Sequence, residues 1–171
     1  KGKSVPNIYL GNEVLYYSGI STASSLDRLT LNGSKFILLE PDFFFINSRL
    51  HSDILHFREL GFEPIIAHIE RYQKARNYKA FLKFIKENNI LTQVNATSFF
   101  GKHYAKILKK LVEEDLITVI ASDTHSLNAR PTMIKAAFDK IEMLYGTGYK
   151  QKLIDNSKAS SRLNDPSNSP G

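Results

Sequence analysis

Short apolar runs recur along this chain at the interval of a strand-plus-helix unit, and each is tied to a polar residue. Those residues are Glu13, Glu40, His68, Asn95 and Asp123, separated by 27, 28, 27 and 28 positions. A βα repeat of that length delivers one residue per unit to the same face of a parallel barrel or sheet. In such folds chemistry collects at the carboxyl ends of the strands. Glu, His and Asp bind hard or borderline metal ions, and His125 adds a further ligand candidate beside Asp123. The spacing therefore predicts a metal site assembled by the fold rather than by one local motif.

The periodicity supports α/β architecture. Residues 7–17 read as extended, interrupted at Gly11-Asn12. Residues 36–40, 64–68, 90–95 and 117–123 are apolar runs with polar ends, as expected of parallel strands covered on both faces. Between them the period lengthens to 3.6. A helical run covers 50–60, and Tyr78, Phe81, Leu82 and Ile85 form a helical stripe, as do Tyr104, Ile107, Leu108 and Leu111. A further stripe comprises Met133, Ala136, Ala137, Ile141 and Leu144. Core packing explains these stripes better than a cofactor groove does. Gly61 marks a helix stop and Pro131 a helix start. From about Asn156 the composition turns to Ser, Asn, Asp, Pro and Gly, so 1–157 reads as one domain and 158–171 as a disordered tail.

Composition removes several functional classes. The 171 residues contain no cysteine, which excludes disulfides, thiolate zinc sites and thiol nucleophiles. The net charge of +6 is scattered, and nucleic acid is not expected as a partner. The densest basic cluster, Lys102, Lys106, Lys109 and Lys110, reads as the wet side of one helix, with an acidic partner as the alternative. No apolar run is long enough to span a membrane, and the first residues do not read as a signal peptide. The expected location is the cytoplasm. There is no phosphate-binding Gly-Lys-Ser/Thr loop after a strand and no Gly-x-Ser-x-Gly elbow.

The individual motifs carry alternatives. His68 either ligates a metal or satisfies buried backbone groups; Arg71, three residues on, offers a bidentate fork for a phosphoryl group. Asp123-Thr-His125 at a strand end can direct a carboxylate and an imidazole towards one centre, or Asp123 is a helix cap with His125 at the surface. Arg130 is a second cation for an anionic substrate or an exposed charge before a helix. A carboxylate at Glu40 is costly unless paired or coordinated. Glu13 belongs either to the site or to a simple turn. Asn95 holds a loop or touches substrate and stays unassigned, while His51, His56 and His103 suit surface or partly buried positions.

The segments Gly11-Asn-Glu13-Val, Leu39-Glu40, Ile66-Ala-His68-Ile-Glu-Arg71-Tyr72, Thr92-Gln-Val-Asn95 and Ser122-Asp123-Thr-His125, with Arg130-Pro131, resemble a known family. It is that of the bacterial protein-tyrosine phosphatases of the polymerase and histidinol phosphatase (PHP) superfamily, in their capsule and exopolysaccharide branch. The resemblance implies a distorted (β/α)7 barrel holding up to three divalent ions, manganese foremost. It also implies removal of phosphate from tyrosines of a bacterial tyrosine kinase that controls polysaccharide export. By the same resemblance Glu13, Glu40, His68, Asp123 and His125 are metal ligands, with Glu40 bridging. Arg71 and Arg130 would hold the phosphate.

The family's first strand carries a His-x-His pair, and a further ligand His follows it, whereas no His precedes His51 here. The resemblance therefore implies an incomplete barrel that lacks its first strands. Such a barrel exposes strand edges that invite pairing with another chain, a homo-oligomer included, and is expected to be weak in isolation. Two rival readings are a PHP-type phosphomonoesterase for a small ester such as histidinol phosphate, and a non-catalytic interaction module.

Overall fold

The spatial order of the strands repeats their order in sequence. In the computed structural model, which describes residues 8–42, 46–125 and 132–162, five strands form one sheet. They are β1 (Glu13–Leu15), β2 (Phe36–Glu40), β3 (Glu63–Ile66), β4 (Leu91–Asn95) and β5 (Val119–Ala121). The hydrogen-bonded order is β1-β2-β3-β4-β5 and every pairing is parallel. Parallel neighbours need long crossovers. Helices α1 (Ser48–Glu59), α2 (Tyr78–Glu87) and α3 (Ala105–Glu113) supply them after β2, β3 and β4. Between β1 and β2 the chain uses short 3-10 turns instead. Helices α4 (Ile134–Tyr145) and α5 (Thr147–Arg162) follow β5.

Register separates the two faces of the sheet. Leu39 lies opposite Val14 and Ile66, and Val94 opposite Ile120. All five are buried, in one core with Leu50, Ile54 and Phe57 of α1, Phe81, Leu82 and Ile85 of α2, and Ile107, Leu108 and Leu111 of α3. Each such side chain contributes about 1.5–3 kcal/mol when fully removed from water, so this face drives folding. The alternate positions pair Glu13 with Leu38, Leu15 with Glu40, Gln93 with Val119, and Asn95 with Ala121. That face carries the polar residues.

Several expectations need correction. The extended reading of 7–17 contracts to Glu13–Leu15. The chain before it is drawn into a loop contact, with the Asn32 N–H donating to the Leu10 carbonyl at 2.7 Å. A Cβ on Gly11 would lie 2.6 Å from the Leu31 side chain, so glycine permits that approach. Glu13 consequently begins its strand rather than ending an apolar run. The last strand covers only Val119–Ala121 of the expected 117–123. In α4, Ala137 and Ile141 are buried and Phe138 packs against the core, but Leu144 is 51% exposed. Gly61 follows α1 at φ +86°, as a helix stop should, while Pro131 lies outside the described residues.

Helix α5 runs through Arg162, so 158–162 are not structureless. Leu153 is fully buried and Asn156 Nδ2 donates to the Thr118 carbonyl at 3.0 Å. These anchors override the weak helix propensity of the Ser-rich segment. The rest of the expected tail, 163–171, lies outside the described residues. Among those described, no helix is long and apolar enough to cross a membrane.

Candidate metal centre

The polar face converges where the strands end. Glu40 and Asn95 are the last residues of β2 and β4. His68 and Asp123 each lie two residues beyond a strand, and both adopt left-handed backbone, φ 51° and 48°. That region is uncommon outside glycine, and a residue held there costs about 1–2 kcal/mol. Left-handed backbone also occurs at Asn32, Asn89 and Asp115, so at His68 and Asp123 it sets where the side chains are placed and does not by itself mark a site.

Glu13, Glu40 and His68 bring their donor atoms within 4.8 Å of one another. Glu13 Oε1 lies 2.6 Å from His68 Nε2, and Glu40 Oε1 is 3.9 Å from the same nitrogen. His68 is only 3% exposed. Two carboxylates facing one buried imidazole nitrogen concentrate negative potential, which a divalent cation relieves most fully. Two carboxylate oxygens and one imidazole also form a suitable donor set for manganese, iron or zinc. The residues present therefore fit a metal ion.

The other side of His68 is fixed by an amide network. His68 Nδ1 donates to Asn95 Oδ1 at 2.9 Å, and Gln93 Nε2 donates to the same oxygen at 2.8 Å. Asn95 Nδ2 donates to Asp123 Oδ2 at 3.0 Å, which settles the orientation of the amide. Gln93 Oε1 meanwhile accepts from the His68 backbone N–H at 2.8 Å. With Nδ1 engaged as a donor, Nε2 is directed at the two carboxylates. This is how ligating histidines are oriented in metal proteins.

Arg71 Nη2 donates to Asp123 Oδ2 at 2.8 Å. Burial raises the Asp123 pKa, but the charge of His68 and the hydrogen bond from Arg71 outweigh it, so the carboxyl sits below its usual range. His125 Nδ1 lies 3.3 Å from Asp123 Oδ1 and 2.9 Å from the Asp123 carbonyl, with an exposed side chain. Beneath the site Glu70 is fully buried, accepting from Ser98 at 2.7 Å and from the Asn95 N–H at 3.2 Å. Burial pushes its carboxyl above the usual range.

The structure thus brings Glu13, Glu40 and His68 into one group, and connects Asp123 and Arg71 to it through Asn95. His125 sits at the exposed rim beside Asp123. Arg130 lies outside the described residues. Asn95, left unassigned on sequence, is the hub of the network. Gln93 and Glu70 were missed. Gln93 is two residues from Asn95 on the same strand, so period-2 alternation could have placed it on the polar face, whereas no pattern marked Glu70.

Comparison with known proteins gives the same direction. A family model described as capsular polysaccharide synthesis, CpsB/CapC, matches residues 2–161. The chain is 33% identical to the tyrosine-protein phosphatase CpsB of Streptococcus pneumoniae, with 87% of this chain and 65% of that protein covered. It is 27% identical to the tyrosine-protein phosphatase YwqE of Bacillus subtilis, covering 86% and 60%. Among solved structures it superposes with a TM-score of 0.80 and 26% identity on a chain from the work on YwqE and CpsB, described there as unique metal-dependent tyrosine phosphatases. That match covers 90% of this chain and 64% of the other. The chain therefore spans just under two thirds of the length of the pneumococcal relative and of the solved structure.

Proposed function

We propose, from the premise that this chain belongs to the CpsB/CapC family of capsular polysaccharide synthesis, that it carries the larger part of a metal-dependent protein-tyrosine phosphatase. The substrate is phosphotyrosine on a bacterial tyrosine kinase that regulates capsule or exopolysaccharide assembly in the cytoplasm. The observation that carries this reading is the convergence of Glu13, Glu40 and His68 within 4.8 Å. The sequential parallel order of the strands supports reading them as a sector of an incomplete, distorted (β/α)7 barrel.

Glu13, Glu40 and His68 would hold a divalent ion, manganese by preference, and Asp123 and His125 would extend the ligand set. When bound, such ions polarise the phosphoryl oxygens and activate water. The protein's own residues do the rest. Arg71, held in place by Asp123, presents its guanidinium fork to the equatorial phosphate oxygens, where charge accumulates during displacement. Arg130 is assigned the same task by the family resemblance alone. Asn95 keeps the His68 ring in one tautomer and one orientation. With no cysteine in the chain, the phosphoryl group passes to water without a thiophosphate intermediate.

The test is turnover by the manganese-loaded chain of a phosphotyrosine peptide beside histidinol phosphate, in water enriched in heavy oxygen. Preference for the peptide, with one label in each released phosphate, is the expected result. Preference for the small ester, or turnover that manganese does not support, would overturn the proposal.

A further inference from the structure

The lysine cluster of α3 has a counterpart that sequence order conceals. A groove of about 880 Å³ runs between α2 and α3, lined by Arg76, Lys79, Lys106, Lys109 and Lys110, with Glu113 as its sole acidic wall residue. Lys109 pairs with Glu113 at 3.7 Å and Lys110 with Glu114 at 3.6 Å along α3. Among the described residues, no carboxylate lies within the 4.0 Å of an ion pair from Arg76, Lys79 or Lys106. Arg76, Lys79, Lys106 and Lys109 are all exposed.

Cations from one helix face that point into solvent need no explanation, because water and salt screen them. This arrangement differs, since the positive charges come from separate elements and face one cleft. Like charges on two walls of a groove repel, and low-dielectric walls focus their field into the space between. Position gives that field a direction. Both α2 and α3 start at the end of the sheet where the strands finish, which is the end carrying the candidate centre. The 3-10 segment Ile69–Lys74 links the two regions, with Arg71 bonded to Asp123 and Gln73 on the wall of the groove.

We infer that the α2–α3 groove is a docking surface for an acidic polypeptide segment, an Asp- and Glu-bearing stretch of the protein substrate that flanks its phosphotyrosine. The inference rests on the phosphatase reading for the identity of the substrate, but the groove's preference for acidic peptide is measurable without turnover. Rim charges of this kind act on encounter and affinity and leave the chemical step alone.

The experiment compares the 171-residue chain with its Lys79→Glu/Lys106→Glu variant, both changes at exposed residues outside the candidate ligand group. Fluorescence anisotropy measures binding of a labelled unphosphorylated peptide rich in Asp and Glu, its Asn/Gln counterpart, and a duplex oligonucleotide. Kinetics on the manganese-loaded proteins use the phosphotyrosine forms of both peptides and para-nitrophenyl phosphate. The parent should favour the acidic peptide by about tenfold, through KM rather than kcat, and the variant should abolish the preference. Turnover of para-nitrophenyl phosphate should be equal in the two proteins. A preference that survives the charge reversal, or tighter binding of the duplex than of the acidic peptide, would overturn the inference. Absence of all turnover would leave the groove untouched, because the anisotropy decides it without catalysis.

Discussion

Leu39 and Glu40 are neighbours in β2, yet they belong to different regimes. Leu39 is 0% exposed beneath the helices, where every pairing partner is apolar. Glu40 stands on the opposite face, 3.9 Å from His68 and opposite Leu15, which is 66% exposed. One face is organised by removal of apolar surface from water, the other by convergence of charge. The difference separates what holds the sheet together from what the sheet is for. Stability should depend on the first face, ligand affinity on the second, and substitutions can test that division.

The largest expected effect belongs to the covered face. Leu39→Ala should cost about 3 kcal/mol in urea unfolding, because it opens a cavity among Val14, Ile66 and their neighbours. Glu40→Gln should do the reverse: it relieves repulsion with Glu13, so the urea midpoint of the metal-free chain should hold or rise. A loss above about 1 kcal/mol at Glu40 would break the division, since it would make that carboxylate a structural element.

A smaller effect sharpens the same contrast through the amide network. Asn95→Leu removes the acceptor for His68 Nδ1 and the donor to Asp123. Manganese affinity should fall about tenfold or more, the usual result when an orienting partner is lost. Nitrogen NMR of His68 in the metal-free protein should register a changed tautomer population. An unaltered imidazole spectrum would remove Asn95 from its orienting role.

The smallest effect concerns His51, on the helical layer. Its ring stacks on Phe84 at 4.0 Å and on Phe81 at 5.7 Å, and burial lowers its pKa. A lowered pKa means that the folded state prefers the neutral ring. Stability is therefore complete at neutral pH, declines as pH falls through the ordinary value of 6.5, and levels once the folded ring is protonated too. His51→Phe keeps the stack and should flatten that part of the urea midpoint's pH profile.

Particular residues show how far the sequence could be read. The 27- and 28-residue spacing located Glu40, His68 and Asn95 at one end of a parallel sheet, because a crossover of fixed length returns the chain to the same level. It could not say that Glu13 starts its strand, since the departure of 8–12 into a loop depends on a contact with Leu31 and Asn32. The left-handed turns at His68 and Asp123 were equally hidden; neither residue type demands them. Gln93 was within reach of period-2 alternation, but Glu70 was not, because its partners Ser98 and the Asn95 N–H come from another unit. Helix α5 escaped because Leu153 and Asn156 gain their anchors only in the tertiary structure.

The central claim is that Glu13, Glu40 and His68 act as one cation-binding group. Calorimetric titration of manganese into the parent chain and into Glu13→Gln, Glu40→Gln and His68→Gln tests it most directly, with circular dichroism confirming that each variant is folded. The account predicts saturable binding in the parent and a loss of at least about tenfold in each of the three variants. Equal affinity in all four proteins, or no binding by a folded parent, would contradict it.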